Sequence, residues 1–210
     1  MKLFALLRTF LLLMVLLASF AARADSYTVL VMGDSISAAY GLDEEDGWVS
    51  LAEKALQEEG SDVQVINASI TGDTTAGGLR RLPDAIERFE PDLLVIELGG
   101  NDGLRGYQPA AMQQNLEDMA DIAHNAGTDV LIAGMMIPSN YGPDYRKMFA
   151  EAFVNAARNS GSTLLPFLLE PIATERNYFQ ADGIHPTADA QPLIMEHALP
   201  LIREFVTGDS

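Results

Sequence analysis

Three side chains of this 210-residue chain could together carry an acyl transfer: the hydroxyl of Ser35, the imidazole of His185 and the carboxyl of Asp182. Ser35 lies in the run Val29-Leu-Val-Met-Gly-Asp-Ser-Ile-Ser37, an apolar stretch that stops at Gly-Asp and delivers a hydroxyl just past a strand's C-terminal end. A serine hydroxyl is too weak an acid to attack an ester unaided; it needs a base in reach, and the base needs an orienting carboxylate. Asp182-Gly-Ile-His185-Pro186 supplies an acid and an imidazole three residues apart in one turn. The other two histidines, His124 and His197, fall in amphipathic helical patterns and read as surface or interface residues. Asp-Gly is a common turn dipeptide in its own right, so Asp182 takes its functional reading from His185 beside it.

Acyl transfer also needs donors aimed at the negative oxygen of the tetrahedral intermediate, one such donor being worth about 3 to 4 kcal/mol. The backbone amides of Ser35 and Gly72 and the side-chain amide of Asn101 are the natural set. Glycine at 72 permits close approach of the main chain, and Asn101 donates without bringing charge. An ordinary turn would also explain Thr-Gly72-Asp, and an ordinary loop Gly-Gly-Asn101-Asp. The acids beside these positions, Asp34, Asp73 and Asp102, read as caps and supports rather than proton carriers. The Gly-x-Ser-x-Gly elbow of the α/β-hydrolases is absent, since Ser37 stands where its second glycine would be.

Each group must be placed by an element. Short continuous apolar runs alternate with longer amphipathic ones, the pattern of strands buried on both faces with helices between them. Strands are expected near 27–33, 62–68, 92–98, 129–136 and 163–166, and helices near 47–59, 76–89, 109–126, 143–160 and 187–206, with Gly60, Gly127 and Gly161 as C-terminal caps. Repeated strand-helix-strand units with right-handed crossovers give an α/β fold with an open parallel sheet of five strands, helices on both faces, and ligands bound outside the strands' carboxyl ends. Ser35, Gly72 and Asn101 follow the first three strands and the Asp182 turn follows the last, so all would gather at that edge.

Composition sets the bounds. Residues 1–24 carry Lys2, Arg8 and Arg23, no acid, and an apolar run from Phe10 to Ala22, followed by the small-residue site Ala22-Arg23-Ala24. This is a cleaved export signal by pattern, with an apolar run shorter than the roughly 20 residues of a membrane span, leaving 25–210 as one domain. A formal net charge of -17 argues against nucleic acid as a partner and against unassisted docking on anionic membranes. The chain has no cysteine, which excludes disulfides, thiolate nucleophiles and cysteine metal sites. Without heptads and with an acidic surface, a monomer is the expected state.

Gly33-Asp-Ser-Ile-Ser37, Gly72, Gly99-Gly-Asn-Asp102 and Asp182-Gly-Ile-His-Pro186 resemble the four blocks of the SGNH, or GDSL-type, hydrolases. Asn67-Ala-Ser-Ile-Thr-Gly-Asp-Thr74, Glu97-Leu-Gly-Gly-Asn-Asp-Gly-Leu-Arg-Gly106, Pro138-Ser-Asn-Tyr-Gly142 and Ala190-Gln-Pro192 resemble a subgroup of that family, the periplasmic thioesterases, lysophospholipases and arylesterases of Gram-negative bacteria. The resemblance implies a flavodoxin-like three-layer sandwich, with Ser35 as nucleophile, His185 as base, Asp182 as acid, and an oxyanion hole from Ser35, Gly72 and Asn101. It implies no metal or organic cofactor, and substrates that are small esters or thioesters with acyl chains: aryl esters, lysophospholipids, acyl-CoA. It also implies a flexible loop over 102–108. Met135, Met136 and Ile137 follow the fourth strand as acyl-chain contacts or as ordinary core. Two other functions fit the same fold, a carbohydrate O-deacetylase and a non-catalytic flavodoxin-like binding module.

Overall fold

A computed structural model of the chain describes residues 26–208; the export signal expected over 1–24 lies outside the described residues. Five parallel strands form one sheet in the order β2-β1-β3-β4-β5: β1 Tyr27–Gly33, β2 Val63–Asn67, β3 Leu93–Glu97, β4 Asp129–Ala133 and β5 Thr163–Leu165. Among the described residues six α-helices accompany them: α1 Trp48–Glu58, α2 Thr75–Phe89, α3 Gly100–Leu104, α4 Pro109–Asn125, α5 Pro143–Ser160 and α6 Gln191–Thr207.

Chain direction decides the faces. The crossover carrying α1 steps from β1 to its outer neighbour β2, while those carrying α2, α4 and α5 step the opposite way. Same-handed crossovers running in opposite directions lie on opposite faces. Accordingly α1 packs with α6, whereas α2, α4 and α5 pack in series. The sheet between them is dry: Val29, Leu30, Leu93, Leu94, Ile96 and Ile132 are all buried, each worth about 1.5 to 3 kcal/mol relative to exposure. Connections diverge between β1 and β3, the switch point where open α/β sheets bind ligands.

β1 matches the expected 27–33, and the other strands end within one to three residues of the expectation. The largest shortfall is β4, expected to run to 136. It stops at Ala133: the Gly134 amide still donates to the Leu165 carbonyl at 2.8 Å, but its own carbonyl accepts the Leu168 amide at 2.9 Å, breaking the ladder, and a Cβ there would stand 2.3 Å from the Pro166 carbonyl oxygen. Met135, Met136 and Ile137 therefore leave the sheet and face the edge. The last helix begins at 191 rather than 187, behind a 3-10 turn over Ala188–Ala190, with Pro192 in its first turn where a missing N–H costs nothing. Gln191 is buried, and its side-chain oxygen accepts the Trp48 amide at 2.9 Å, pinning the start of α6 to the start of α1. Helix α3 falls where the sequence pattern reads as loop. Among the described residues no helix is long and apolar enough to cross a membrane.

Candidate active site

The turn after β1 lifts Ser35 out of the sheet. Gly33 is required there by proximity, since a Cβ would stand 2.7 Å from both the Glu97 carboxyl and the Ser37 Cβ. The chain then coils tightly, with the Ala38 amide on the Asp34 carbonyl and the Tyr40 amide on the Ser35 carbonyl. Ala39 takes a left-handed φ of 52°, a conformation costing a non-glycine residue roughly 1 to 2 kcal/mol. The reversal brings the Tyr40 ring to 4.2 Å, centroid to centroid, from the His185 ring.

Across 150 residues of chain, His185 Nε2 lies 2.9 Å from Ser35 Oγ, and His185 Nδ1 lies 2.7 Å from Asp182 Oδ2. The other Asp182 oxygen accepts the amides of Ile184 and His185 at 2.9 and 3.1 Å, folding the turn around its own acid. The imidazole bond above all, and then these two amides, hold the Asp182 carboxyl well below the usual carboxylate range. An ionised carboxylate only accepts, so Nδ1 carries the proton and Nε2 is left to accept the Ser35 hydroxyl. That is the tautomer a base needs.

Ser35, Asn101 and His185 all line one cleft of about 470 Å³, walled largely by Met135, Met136, Ile137, Phe167, Leu169, Phe179 and Ile184. Asp182 stands behind His185. Gly72 is outside this lining, on the neighbouring loop, where it takes a φ of 79° and its carbonyl accepts from Arg105 Nη2 at 2.9 Å. Among the described residues, the backbone amides of Ser35 and Gly72 donate to no protein acceptor. Asn101 Nδ2 donates one hydrogen to Asp34 Oδ2 at 2.9 Å and keeps a second. The Gly72 and Asn101 loops are tied together by Asp102, whose buried carboxylate accepts the Thr75 hydroxyl at 2.7 Å and the Thr75 amide at 2.9 Å. Asp73 instead pairs with Arg81 at 2.8 Å. Of the remaining histidines, His124 is exposed and His197 touches the Phe167 carbonyl, and neither lines the cleft.

Four further residues, outside the set of site residues expected from the sequence, shape the site: Tyr40, Arg176, Gln180 and Glu97. The first three act on the His185 loop through backbone or ring contacts that leave no local pattern. Glu97 did leave one, as the single charge inside an otherwise apolar strand buried on both faces. It is completely buried at the end of β3, where Oε2 accepts the Ser37 hydroxyl at 2.7 Å and the amides of Asp34 and Ser37 at 3.2 and 3.3 Å. It thereby braces both flanks of Ser35. Among the described residues Oε1 has no protein partner.

Burial pushes the Asp34 carboxyl up to about 6, and burial together with Asp34 holds Glu97 well above its ordinary value. Both groups bind protons more tightly in the fold than in the unfolded chain. Their contribution is therefore present below an unfolded value of 3.8 for Asp34 and is lost as pH climbs through about 6, with Glu97 extending the loss upward. Raising pH from 5 to 8 should cost about 1 kcal/mol through Asp34 alone, a drop of about 2 to 4 °C in melting midpoint. Glu97→Gln should flatten that slope. A wild-type midpoint that does not fall between those pH values would contradict the assignment.

A parallel sheet whose switch point presents a hydroxyl, an imidazole and a carboxylate in line, beside unused amide donors, defines an α/β protein with acyl-transfer geometry. Residues 31–192 match the model of the GDSL-like Lipase/Acylhydrolase family, and the chain belongs to that family. Esterase TesA of Pseudomonas aeruginosa is 49% identical over 184 residues, covering 88% of this chain and 92% of that protein. The protein of Escherichia coli named Thioesterase 1/protease 1/lysophospholipase L1 is 38% identical over 199 residues, covering 95% of this chain and 93% of that one. The psychrotrophic esterase EstA from Pseudoalteromonas sp., in a structure inhibited by monoethylphosphonate, is similar with a TM-score of 0.83 and 40% identity, covering 87% of this chain and 100% of that one.

Proposed function

We propose that the protein hydrolyses carboxylic esters and acyl thioesters through an acyl-enzyme on Ser35. The observation that carries the reading is the unbroken contact from Ser35 Oγ to His185 Nε2 and from His185 Nδ1 to Asp182, opening into an apolar cleft. Ser35 Oγ attacks the substrate carbonyl while Nε2 takes its proton, and the Asp182 carboxylate steadies the imidazolium. The amides of Ser35, Gly72 and Asn101 receive the oxyanion. The tetrahedral centre then collapses, Nε2 returns the proton to the departing alcohol or thiol, and a water activated by the same nitrogen releases the acid.

The apolar walls favour an acyl chain over a sugar, which sets this reading above carbohydrate deacetylation. Aryl esters, lysophospholipids and acyl-CoA are the substrates to test, since the relatives' names include esterase, thioesterase and lysophospholipase. The pattern of residues 1–24 supports export to the periplasm, with 25–210 acting there as a single-domain monomer.

A fluorophosphonate ester is expected to add one adduct at Ser35, detected by mass, and none to Ser35→Ala. The same wild-type preparation should cleave a palmitoyl thioester in preference to acetyl-xylan. Labelling elsewhere, or equal labelling of both proteins, refutes the nucleophile; a reversed substrate preference refutes the substrate class.

A further inference from the structure

Between β5 and α6 the chain has 3-10 turns and one isolated antiparallel bridge, Phe179 with Pro186, yet this segment must hold His185 against Ser35. What gathers it is Arg176. Nη1 donates to the carbonyls of Phe179 and Gln180 at 3.0 and 2.7 Å, and Nη2 donates to the carbonyl of Ala181 at 3.1 Å. The guanidinium lies inside the bend of the loop, within ordinary contact range of Gly183, where a Cβ would stand 3.7 Å from Nη2. Among the described residues Arg176 forms no ion pair, unlike Arg81 and Arg203. Its partners are three consecutive carbonyls, the last belonging to the residue before Asp182.

Three carbonyl dipoles turned toward one point repel each other unless a cation with several donors sits among them. A planar guanidinium meets that need; a single ammonium on a flexible stem does not match its fork. Gln180 fastens the other side of the loop, with Nε2 on the carbonyls of Tyr40 and Pro186 at 2.7 and 3.0 Å and its amide on the His185 carbonyl at 2.8 Å. The loop is thus clamped to the turn that carries Ser35, and the guanidinium sets its curvature.

We propose that Arg176 is a positioning residue for hydrolysis: by drawing in the carbonyls of 179–181 it fixes Asp182, and through Asp182 the His185 ring. This rests on the reading of Ser35 and His185 given above. Arg176→Ala and Arg176→Lys should each lower kcat on a short aryl ester about tenfold or more while KM stays within about twofold, because a displacement near 1 Å at the reacting groups suffices. Phosphonylation of Ser35 should slow by the same factor. Arg176 is exposed, so the melting midpoint should move by no more than about 2 °C. Guanidinium ion at sub-denaturing concentration should restore part of the rate to Arg176→Ala and none to Arg176→Lys.

Wild-type kcat in Arg176→Ala overturns the proposal, and wild-type kcat in Arg176→Lys overturns it too, by assigning the effect to charge alone. With turnover abolished in Ser35→Ala, either result counts against the clamp only. Undiminished turnover in Ser35→Ala would instead overturn the nucleophile and the clamp with it.

Discussion

His185→Ala is expected to cut kcat on an aryl ester by about 10³- to 10⁴-fold, the scale of losing a general base that also serves as general acid. The His185 side chain is 17% exposed, lies on a loop and packs on Tyr40, so circular dichroism and the melting midpoint should remain close to wild type. The double variant is the more informative protein. If Ser35 and His185 act as one unit, Ser35→Ala with His185→Ala should be no slower than the worse single variant, because a hydroxyl without a base and a base without a hydroxyl fail equally. Multiplying losses would show two independent contributions and end the coupled mechanism.

Asn101→Ala is the second large effect, about 10² to 10³ in kcat with KM little changed, since the donor acts where charge develops rather than on bound substrate. Asp34 holds one Nδ2 hydrogen of Asn101, so the other is aimed by a buried acceptor and not by chance. Asn101→Asp should be at least as damaging, because it sets a second carboxylate against Asp34 and offers repulsion to the oxyanion. Steady-state kinetics on one aryl ester decides both. A loss confined to KM would move Asn101 from the oxyanion hole to the binding wall.

The sheet and the groups at its edge were legible because they follow from repetition. Continuous apolar runs mark β1 and β3, each run ends in small residues, and the sheet's order then delivers Ser35 and Asn101 to adjacent crevice walls. Where the strand falls short of its apolar run, a contact between distant segments intervenes, as when the Gly134 carbonyl takes the Leu168 amide and β4 ends at Ala133. Helix α3 escaped because Gly-Asn-Asp-Gly-Leu has poor helical propensity; it holds by position, its Asp102 bound to Thr75. Arg176 and Gln180 were invisible for a different reason. Their partners are backbone carbonyls, which every residue possesses, so no residue type betrays them.

The acid and the base ride on one short arc of chain, while the hydroxyl is rooted in the sheet. Loosening that arc disarms the base and its orienting carboxylate at a stroke and leaves the hydrophobic interior sealed. Warming should therefore silence the enzyme before it melts, and cooling should rearm it, with the serine still in place.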